Sequence, residues 1–278
     1  MANVPTKSAP VKKESTGTTS SIFAALTVPI CLVVSTLIFF FILGDPSHFK
    51  GGDPVNGDAN DIYGIVHKGG VLVPVVTGYI LMVIVFSIER FIVIGKATGT
   101  SSMETFVRKI QAALSAGNIE GAAAECDKQK GSVANVIKAG LKKYREMEAD
   151  TTLGVDQKTL AIQKDIEEAT ALEMPMLEQN LTIIATLVSI GTLTGLLGTV
   201  IGMIKAFHEL ASNGGGTNTG ALSNAISEAL VNTACGIGTS AISIIMYNIF
   251  TSKIDNLTYA IDETGFSIVQ TFAASHKK

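Results

Sequence analysis

The chain has 278 residues, of which 47% are hydrophobic and only 16% are charged, against roughly 25% in ordinary soluble domains. Its formal net charge of −3 argues against nucleic acid as a partner, because nucleic-acid-binding domains usually carry a strongly basic face. Its three isolated cysteines, Cys31, Cys126 and Cys235, fit neither a disulfide framework nor a metal site. The composition therefore indicates a membrane protein.

Four charge-free runs are long enough to cross a bilayer, which takes about 20 apolar residues in a helix. They lie between the charges at positions 14 and 45, 68 and 89, 178 and 205, and 228 and 253. We therefore predict an all-α, polytopic membrane protein with four transmembrane helices, the last two extended into a cytoplasmic helical domain.

The soluble segments are predicted from composition and turn signals. Residues 1–20 are rich in Ser, Thr, Lys and Pro and lack periodicity, which is typical of a disordered tail. A helix that opens near Asp156 is expected to run unbroken into the third span, with Pro175 causing a local kink. The predicted segments are a tail (1–20), an additional transmembrane helix (21–44), a loop (45–70), a transmembrane helix (71–94), a helical domain (95–180), a transmembrane helix (181–210), a loop (211–224), a transmembrane helix (225–250) and a helical tail (251–278).

The distribution of Lys and Arg predicts the orientation through the positive-inside rule. The tail before the first span has three Lys, the segment 96–164 has eleven Lys and Arg, and the segment after the fourth span has three Lys. The two loops on the other side contain only Lys50 and Lys68. We therefore expect both termini and the helical domain in the cytoplasm, and the loops on the periplasmic side.

Signatures of enzymes and metal sites are missing from the sequence, which has no P-loop, no HExxH and no GxSxG. The acidic residues Asp53, Asp58 and Asp61 lack EF-hand spacing, so a solvated turn is expected there rather than a cation site. We expect no catalytic residue, metal or cofactor.

The third span has a glycine stripe and a hydroxyl stripe on different faces. At about 100° per residue, the glycines fall within about 60° of one another, while Thr182, Thr186 and Ser189 cluster elsewhere. Small residues at this spacing let helix backbones approach closely in lipid, and repeated hydroxyls indicate a hydrated or polar interface. The helix-packing glycines are Gly191, Gly195, Gly198 and Gly202.

The fourth span is polar on one half of its surface. A carboxylate such as Glu228 is costly when it faces lipid, so it is expected to face a bundle or a water-filled pathway. The alternative is a carboxylate at the interface that reaches solvent. The pathway is favoured because the polar stripe continues inward from Glu228 through Asn232, Thr233, Gly236, Thr239, Ser240, Ser243 and Tyr247.

At these residues the sequence resembles the MotA/TolQ/ExbB proton-channel proteins, and most closely the ExbB-like members. The matching stretches cover about residues 71–270, and the most specific are Gly195–Ile204 and Ile226–Gly236. Three features depart from the family pattern: the first span is additional, Thr192 and Ile242 replace prolines, and Ile190 replaces a pore-lining threonine. The family's acidic residue falls on Glu228.

The resemblance implies an inner-membrane motor subunit that forms a homo-oligomeric ring, a pentamer, around an ExbD-like single-span partner and drives a TonB-like protein. The proton-carrying Asp would come from the partner. With the polar stripes, it assigns proton-pathway or pore-lining roles to Thr233, Glu228, Asn232, Thr239, Ser189, Thr186 and Thr199.

Three other functions remain open from the sequence. A TolQ-like or gliding- or flagellar-stator-like subunit would use the same mechanism with another client. A secondary transporter should show repeated halves and discontinuous helices, and no internal repeat is visible. A purely structural four-span protein would conduct nothing with any partner.

Overall fold

The computed structural model describes residues 16–55, 57–212 and 219–276. The fold is all-α, and four of its helices are long and apolar enough to cross a membrane, as predicted. Residues 1–15 of the predicted tail (1–20) and residues 213–218 of the predicted loop (211–224) lie outside the described residues. Residues 16–20, predicted as tail, begin the first helix, and residues 219–224, predicted as loop, begin the last one. The α-helices in the described ranges are α1 Thr16–Ile38, α2 Ile62–His67, α3 Val73–Thr98, α4 Met103–Ser115, α5 Ile119–Gln129, α6 Gly131–Ala149, α7 Val155–Glu178, α8 Leu181–Ser212 and α9 Thr219–Ser275.

In the membrane part, α8 and α9 form an antiparallel pair, and α3 packs against both. The additional helix α1 packs on α3, where Ser35 donates a 2.6 Å hydrogen bond to Pro74 O. Leu32 lies against Gly78, which gives α1 room to approach the α3 backbone. The opposite side of α1 is apolar and exposed. The first helix is therefore an outer layer, separated from α8 and α9 by α3.

The predicted loop 45–70 contains α2 and two short 3₁₀ turns, Pro46–His48 and Lys50–Gly52. Asp61 caps α2 by accepting a 3.0 Å hydrogen bond from Gly64 N–H, and this bond, with a further bond from His48, lowers the pKa of Asp61. Phe49 is 2% exposed and packs against His67. The segment is therefore folded around its own small apolar centre, which the turn signals alone did not predict.

The helical domain consists of α4 to α7 and the last third of α9. Its core is aliphatic and aromatic: Ile137 is 0% exposed, and Phe272 packs edge-on against Tyr144 at 4.9 Å. Gly140 of α6 allows Ile166 of α7 to approach closely. Because α9 is continuous from Thr219 to Ser275, the predicted tail 251–278 is the end of the fourth membrane helix rather than a separate element.

The expectation of one unbroken helix from Asp156 into the third span is wrong. Helix α7 contains Pro175 but ends at Glu178, and α8 begins at Leu181. Asn180 between them has φ 64, a left-handed conformation that stops a helix and that Asn tolerates better than most residues. The chain therefore breaks at the boundary of the membrane segment instead of only bending.

Arg90 of α3 stabilises the break between α7 and α8. Its guanidinium is 1% exposed and donates hydrogen bonds to Met176 O at 3.2 Å and Leu177 O at 3.1 Å. It also makes a bidentate ion pair with Glu89. The Oε2 atom of Glu89 accepts a further hydrogen bond from the Asn180 side chain at 3.4 Å. The carbonyls at the end of α7 thus have a cationic donor, which complements the negative end of a helix.

Candidate functional site

The glycine stripe lies in the contact between α8 and α9 of the same chain. A Cβ built on Gly195 would lie 3.1 Å from the Cα of Gly236, so the two backbones touch at this point. Gly191 lies against Ser240, and Gly202 lies against Ala229. The stripe therefore packs the two helices of one chain together, and it is not free to form the contact between chains that small-residue stripes often make.

We expect Gly198→Leu to destabilise the folded chain, because the Asn232 side chain fills the space in front of Gly198. Overpacking of a close contact costs about 1–3 kcal/mol. Thermal unfolding in detergent measures the effect, and native mass spectrometry shows whether assembly follows it. Gly238→Leu is the matched control, since no atom lies within 4 Å of a Cβ at Gly238. Equal melting temperatures for the two variants would contradict this assignment.

Two hydroxyls face each other across the α8–α9 contact. The Oγ1 atoms of Thr199 and Thr233 are in hydrogen-bond contact, and both residues are partly exposed. Thr233 Oγ1 also lies 3.1 Å from Gly195 O and 3.2 Å from Ala229 O, so it has more acceptors than its one proton can serve. Its hydrogen bond can therefore be redirected when another polar group arrives.

A second hydroxyl pair follows further along the same contact. Thr192 and Ser240 lie 2.7 Å apart, Oγ1 to Oγ. On each helix this pair is seven residues from the first, Thr192 to Thr199 and Thr233 to Ser240, which is about 10 Å along the axis. The pairing of Thr192 with Ser240 was not predicted from the sequence; the equal spacing of the hydroxyl residues on two antiparallel helices is the signal that could have indicated it.

Glu228 lies at one end of the membrane contact and is not an isolated carboxylate. Lys205 of α8 pairs with it at 2.6 Å, and the Glu228 side chain is 17% exposed against 49% for Lys205. The sequence did not predict this partner because the two residues lie on different helices. The ion pair lowers the cost of placing Glu228 near the membrane.

Two of the predicted pathway residues are buried where α9 packs against the glycine stripe of α8, Asn232 against Gly198 and Thr239 against Gly191. Asn232 is 1% exposed and donates a 2.7 Å hydrogen bond to Gly69 O, before α3. Thr239 is 0% exposed and donates to Cys235 O of its own helix at 2.9 Å. Neither side chain lines an open surface of this chain, so we correct their predicted role to interior packing.

The other two predicted residues, Thr186 and Ser189, are exposed on α8. Thr186 donates to Thr182 O at 2.7 Å, as a single helical threonine commonly does. Neither contacts Thr199 or Thr233, so the structure does not gather all seven residues at one place. They extend the polar surface of α8 toward its first turn.

At that first turn a cavity of about 420 Å³ opens between α8 and α9, and its lining is about half polar. Thr182 lies on its α8 side, and Tyr247 and Asp255 lie on its α9 side. Glu178, at the end of α7, also lines it. The hydroxyl surface thus runs from the Lys205–Glu228 pair at one end to a carboxylate-lined cavity at the other.

No acid or base connects these two ends. Residues 182–204 and 229–252 contain no Asp, Glu, Lys, Arg or His. A run of 23 or 24 helical residues is about 35 Å long, which exceeds the roughly 30 Å hydrocarbon layer. The chain therefore offers hydroxyls but no titratable carboxyl, imidazole or amine to carry a proton through the middle of the membrane.

Comparison with known proteins gives consistent matches in this region. The profile of the MotA/TolQ/ExbB proton channel family matches residues 128–263. The biopolymer transport protein ExbB-like 3 of Synechocystis is 32% identical over 88 residues, 31% of this chain and 42% of the relative. The Tol-Pal system protein TolQ of Pseudomonas aeruginosa is 28% identical over 125 residues, 45% of this chain and 54% of the relative.

A longer and weaker match is the ExbB homolog of Methanothermobacter thermautotrophicus, 21% identical over 204 residues, 73% of this chain and 68% of the relative. The chain thus spans about half or less of the first two relatives described above. The family match at residues 128–263 includes α8 and most of α9, where the hydroxyl pairs lie.

Proposed function

We propose that this chain, which belongs to the MotA/TolQ/ExbB proton channel family, is an ExbB-like subunit of a proton-driven motor in the inner membrane. The observation that carries the proposal is the α8–α9 surface, which has paired hydroxyls but no proton carrier across about 35 Å. Such a surface suits a carboxylate that another protein brings to it. Hydroxyls can stabilise that carboxylate while it is charged and release it when it is protonated.

The partner would be an ExbD-like protein whose single membrane helix carries an Asp. Several copies of this chain, five by resemblance, would surround it, and proton flow would drive work on a TonB-like protein. Co-purification of a small single-span protein with this chain is the first test. A chain that purifies alone and conducts no protons with any candidate partner would contradict the proposal.

A TolQ-like subunit that drives another client is the second candidate, and the match to TolQ of P. aeruginosa over 125 residues favours it. The membrane mechanism would be the same, and only the driven protein would differ. The two functions are distinguished by identifying the driven protein that co-purifies with the complex and contacts it on the periplasmic side. The identity of the neighbouring genes distinguishes them as well.

The proposed orientation, with both termini and the helical domain in the cytoplasm, predicts opposite labelling of two engineered cysteines. Val55 is 78% exposed in the segment before α2, and the side chain of Glu104 is 75% exposed on α4. A cysteine at Val55 should react with an impermeant thiol reagent added outside, and one at Glu104 should not. The reverse pattern would overturn the orientation.

These positions are better suited to labelling than glycines in turns. A Cβ at Gly57 would lie 2.5 Å from Lys50 O, so a cysteine there would disturb the fold. The native Cys126 thiol of the helical domain gives little background. Burial, with the neighbouring Asp127 carboxylate, raises the pKa of the Cys126 thiol to about 12, and the reactive species is the thiolate.

A further inference from the structure

The helical domain has a cationic groove that the membrane mechanism does not use. We define it by Lys138, Lys142 and Arg145 on α6, and it has a volume of about 670 Å³. Its floor is apolar and formed by Ala123, Ala139 and Leu141, and one carboxylate, Glu146, also lines it, so the cations outnumber the acid three to one. All three cationic residues are exposed. Lys138 pairs with Asp127, and Lys142 lies 4.0 Å from Glu146. Arg145 has no carboxylate within 4.0 Å in the part of the chain that the structure describes, so it is the cation most available to a partner.

A second surface on the same domain has the opposite charge and exposed aromatic rings. We call it the acidic face and define it by Glu167 of α7 and Asp262, Tyr259 and Phe266 of α9. Tyr259 is 69% exposed and Phe266 is 64% exposed, and they lie seven residues apart on one side of α9. Among the described residues, neither Glu167 nor Asp262 has a cation within 4.0 Å.

The acidic face also has an opening beside Phe266. A cavity of about 380 Å³ lies between α7 and α9, and Glu167, Asp262 and Phe266 all line it. Exposed rings of this size are costly in water, and aromatic residues are enriched in the cores of protein interfaces. The rings and the unpaired carboxylates together fit a cationic surface with an apolar floor.

The two surfaces lie at the same height along α9. Gly140, in the middle of the groove residues on α6, lies directly against Ile166, the neighbour of Glu167. A Cβ at Gly265, the neighbour of Phe266, would lie 3.2 Å from the same Ile166 side chain. The middle of the groove and the middle of the acidic face are therefore within about one helical turn of each other in height.

Equal height matters because rotation about an axis along the membrane normal moves no part of a chain up or down. Two different surfaces that meet by such a rotation form a head-to-tail contact, which closes into a ring. We propose that the acidic face of one copy docks in the cationic groove of the next copy of this chain, and that this contact sets the order of subunits around the ring. The inference rests on the proposed ring and adds its interface.

The test reverses the charges of each surface separately and then together, with native mass spectrometry of the purified membrane complex as the measurement. Lys142→Glu with Arg145→Glu should lower the ratio of ring to monomer at least about tenfold, because like charges placed together across an interface are strongly unfavourable. Glu167→Lys with Asp262→Lys should do the same. All four substitutions in one chain should restore the ring.

Arg108→Glu is the matched control, since Arg108 is exposed on α4 outside both surfaces, and it should leave the ring intact. Circular dichroism of each variant establishes that the helices remain folded. A ring that tolerates the reversed groove would overturn the interface while leaving the motor function standing. Disruption without rescue would also overturn it and would indicate a different acidic protein as occupant. A monomeric wild type would overturn both the ring and this contact.

Discussion

Replacing Thr233 by valine is expected to lower proton-driven activity at least about tenfold, while the complex with the partner protein stays assembled. Valine keeps the volume of threonine but removes the hydroxyl that faces Thr199 across the α8–α9 contact. A hydrogen bond to a charged group contributes about 1.5–3 kcal/mol, and about 1.4 kcal/mol is a factor of ten in rate. The partner's carboxylate would then meet an apolar wall at this height.

The folded state should be little affected, because the hydroxyl of Thr199 retains a contact to Gly195 O at 3.4 Å. The measurement is proton-dependent uptake in cells that contain each variant at equal abundance of the assembled complex. Ser243→Ala is the control, because it removes a buried hydroxyl of the same helix whose one hydrogen bond among the described residues is to Thr239 O. Equal loss of activity in both variants would contradict a specific role for Thr233.

Glu228→Gln tests the end of the surface separately and should cause a smaller defect than Thr233→Val. Its ion pair with Lys205 is partly solvated, since the Lys205 side chain is 49% exposed. Exposed pairs of this kind contribute about 0–1 kcal/mol. A defect as large as that of Thr233→Val would mean that Glu228 itself takes part in proton transfer.

Arg90→Met is expected to destabilise the folded chain by about 3–5 kcal/mol, the usual cost of removing one partner of a buried ion pair. The guanidinium is 1% exposed and satisfies both Glu89 and two carbonyls at the end of α7. Without it, those carbonyls lose their donors and the carboxylate loses its cation. The break at Asn180, where the helical domain joins α8, should then open more readily.

Thermal unfolding measures the loss, and limited proteolysis near residues 175–181 should show faster cleavage in the variant. Arg108→Met is the control, since the Arg108–Glu104 pair is exposed on both sides and such pairs contribute little. If Arg90→Met melts within the error of Arg108→Met, the account of the α7–α8 junction is wrong.

The four membrane helices could be predicted from the sequence because hydropathy and length are local properties. The break at Asn180 could not, because it depends on Arg90, which lies 90 positions earlier in the chain. Helix propensity around Pro175 favoured a kink, whereas the donors of α3 stabilise a true end of the helix. A contact between distant elements decided the outcome.

The candidate site shows the same limit. Periodicity identified the polar half of α9 but not which of its side chains the neighbouring helices cover. Asn232 and Thr239 were therefore assigned to the pathway, although both are buried, Asn232 against Gly198 and Thr239 against Gly191 of α8. The pairs Thr199–Thr233 and Lys205–Glu228 required the register of two antiparallel helices. The residue pattern of a single helix predicts which of its faces is polar. Which residues of another helix that face contacts depends on how the helices pack.

The position of the additional helix α1 is also explained by helix packing. It lies on α3, on the side away from the hydroxyl pairs, and it is fixed there by the contacts of Ser35 with Pro74 and Thr77. In the proposed ring it would lie on the outside, in contact with lipid. We therefore assign it no direct role in the proton pathway.

We propose that this chain and a single-span partner form a proton channel along the α8–α9 hydroxyl surface. Proton flux tests this proposal in liposomes that contain the chain together with the small single-span protein that co-purifies with it, with a pH-sensitive dye reporting the flux after external acidification. We predict flux with both proteins, little with the chain alone, and at least about tenfold less with Thr233→Val. Equal flux through the chain alone, or flux that Thr233→Val leaves unchanged, would contradict the account.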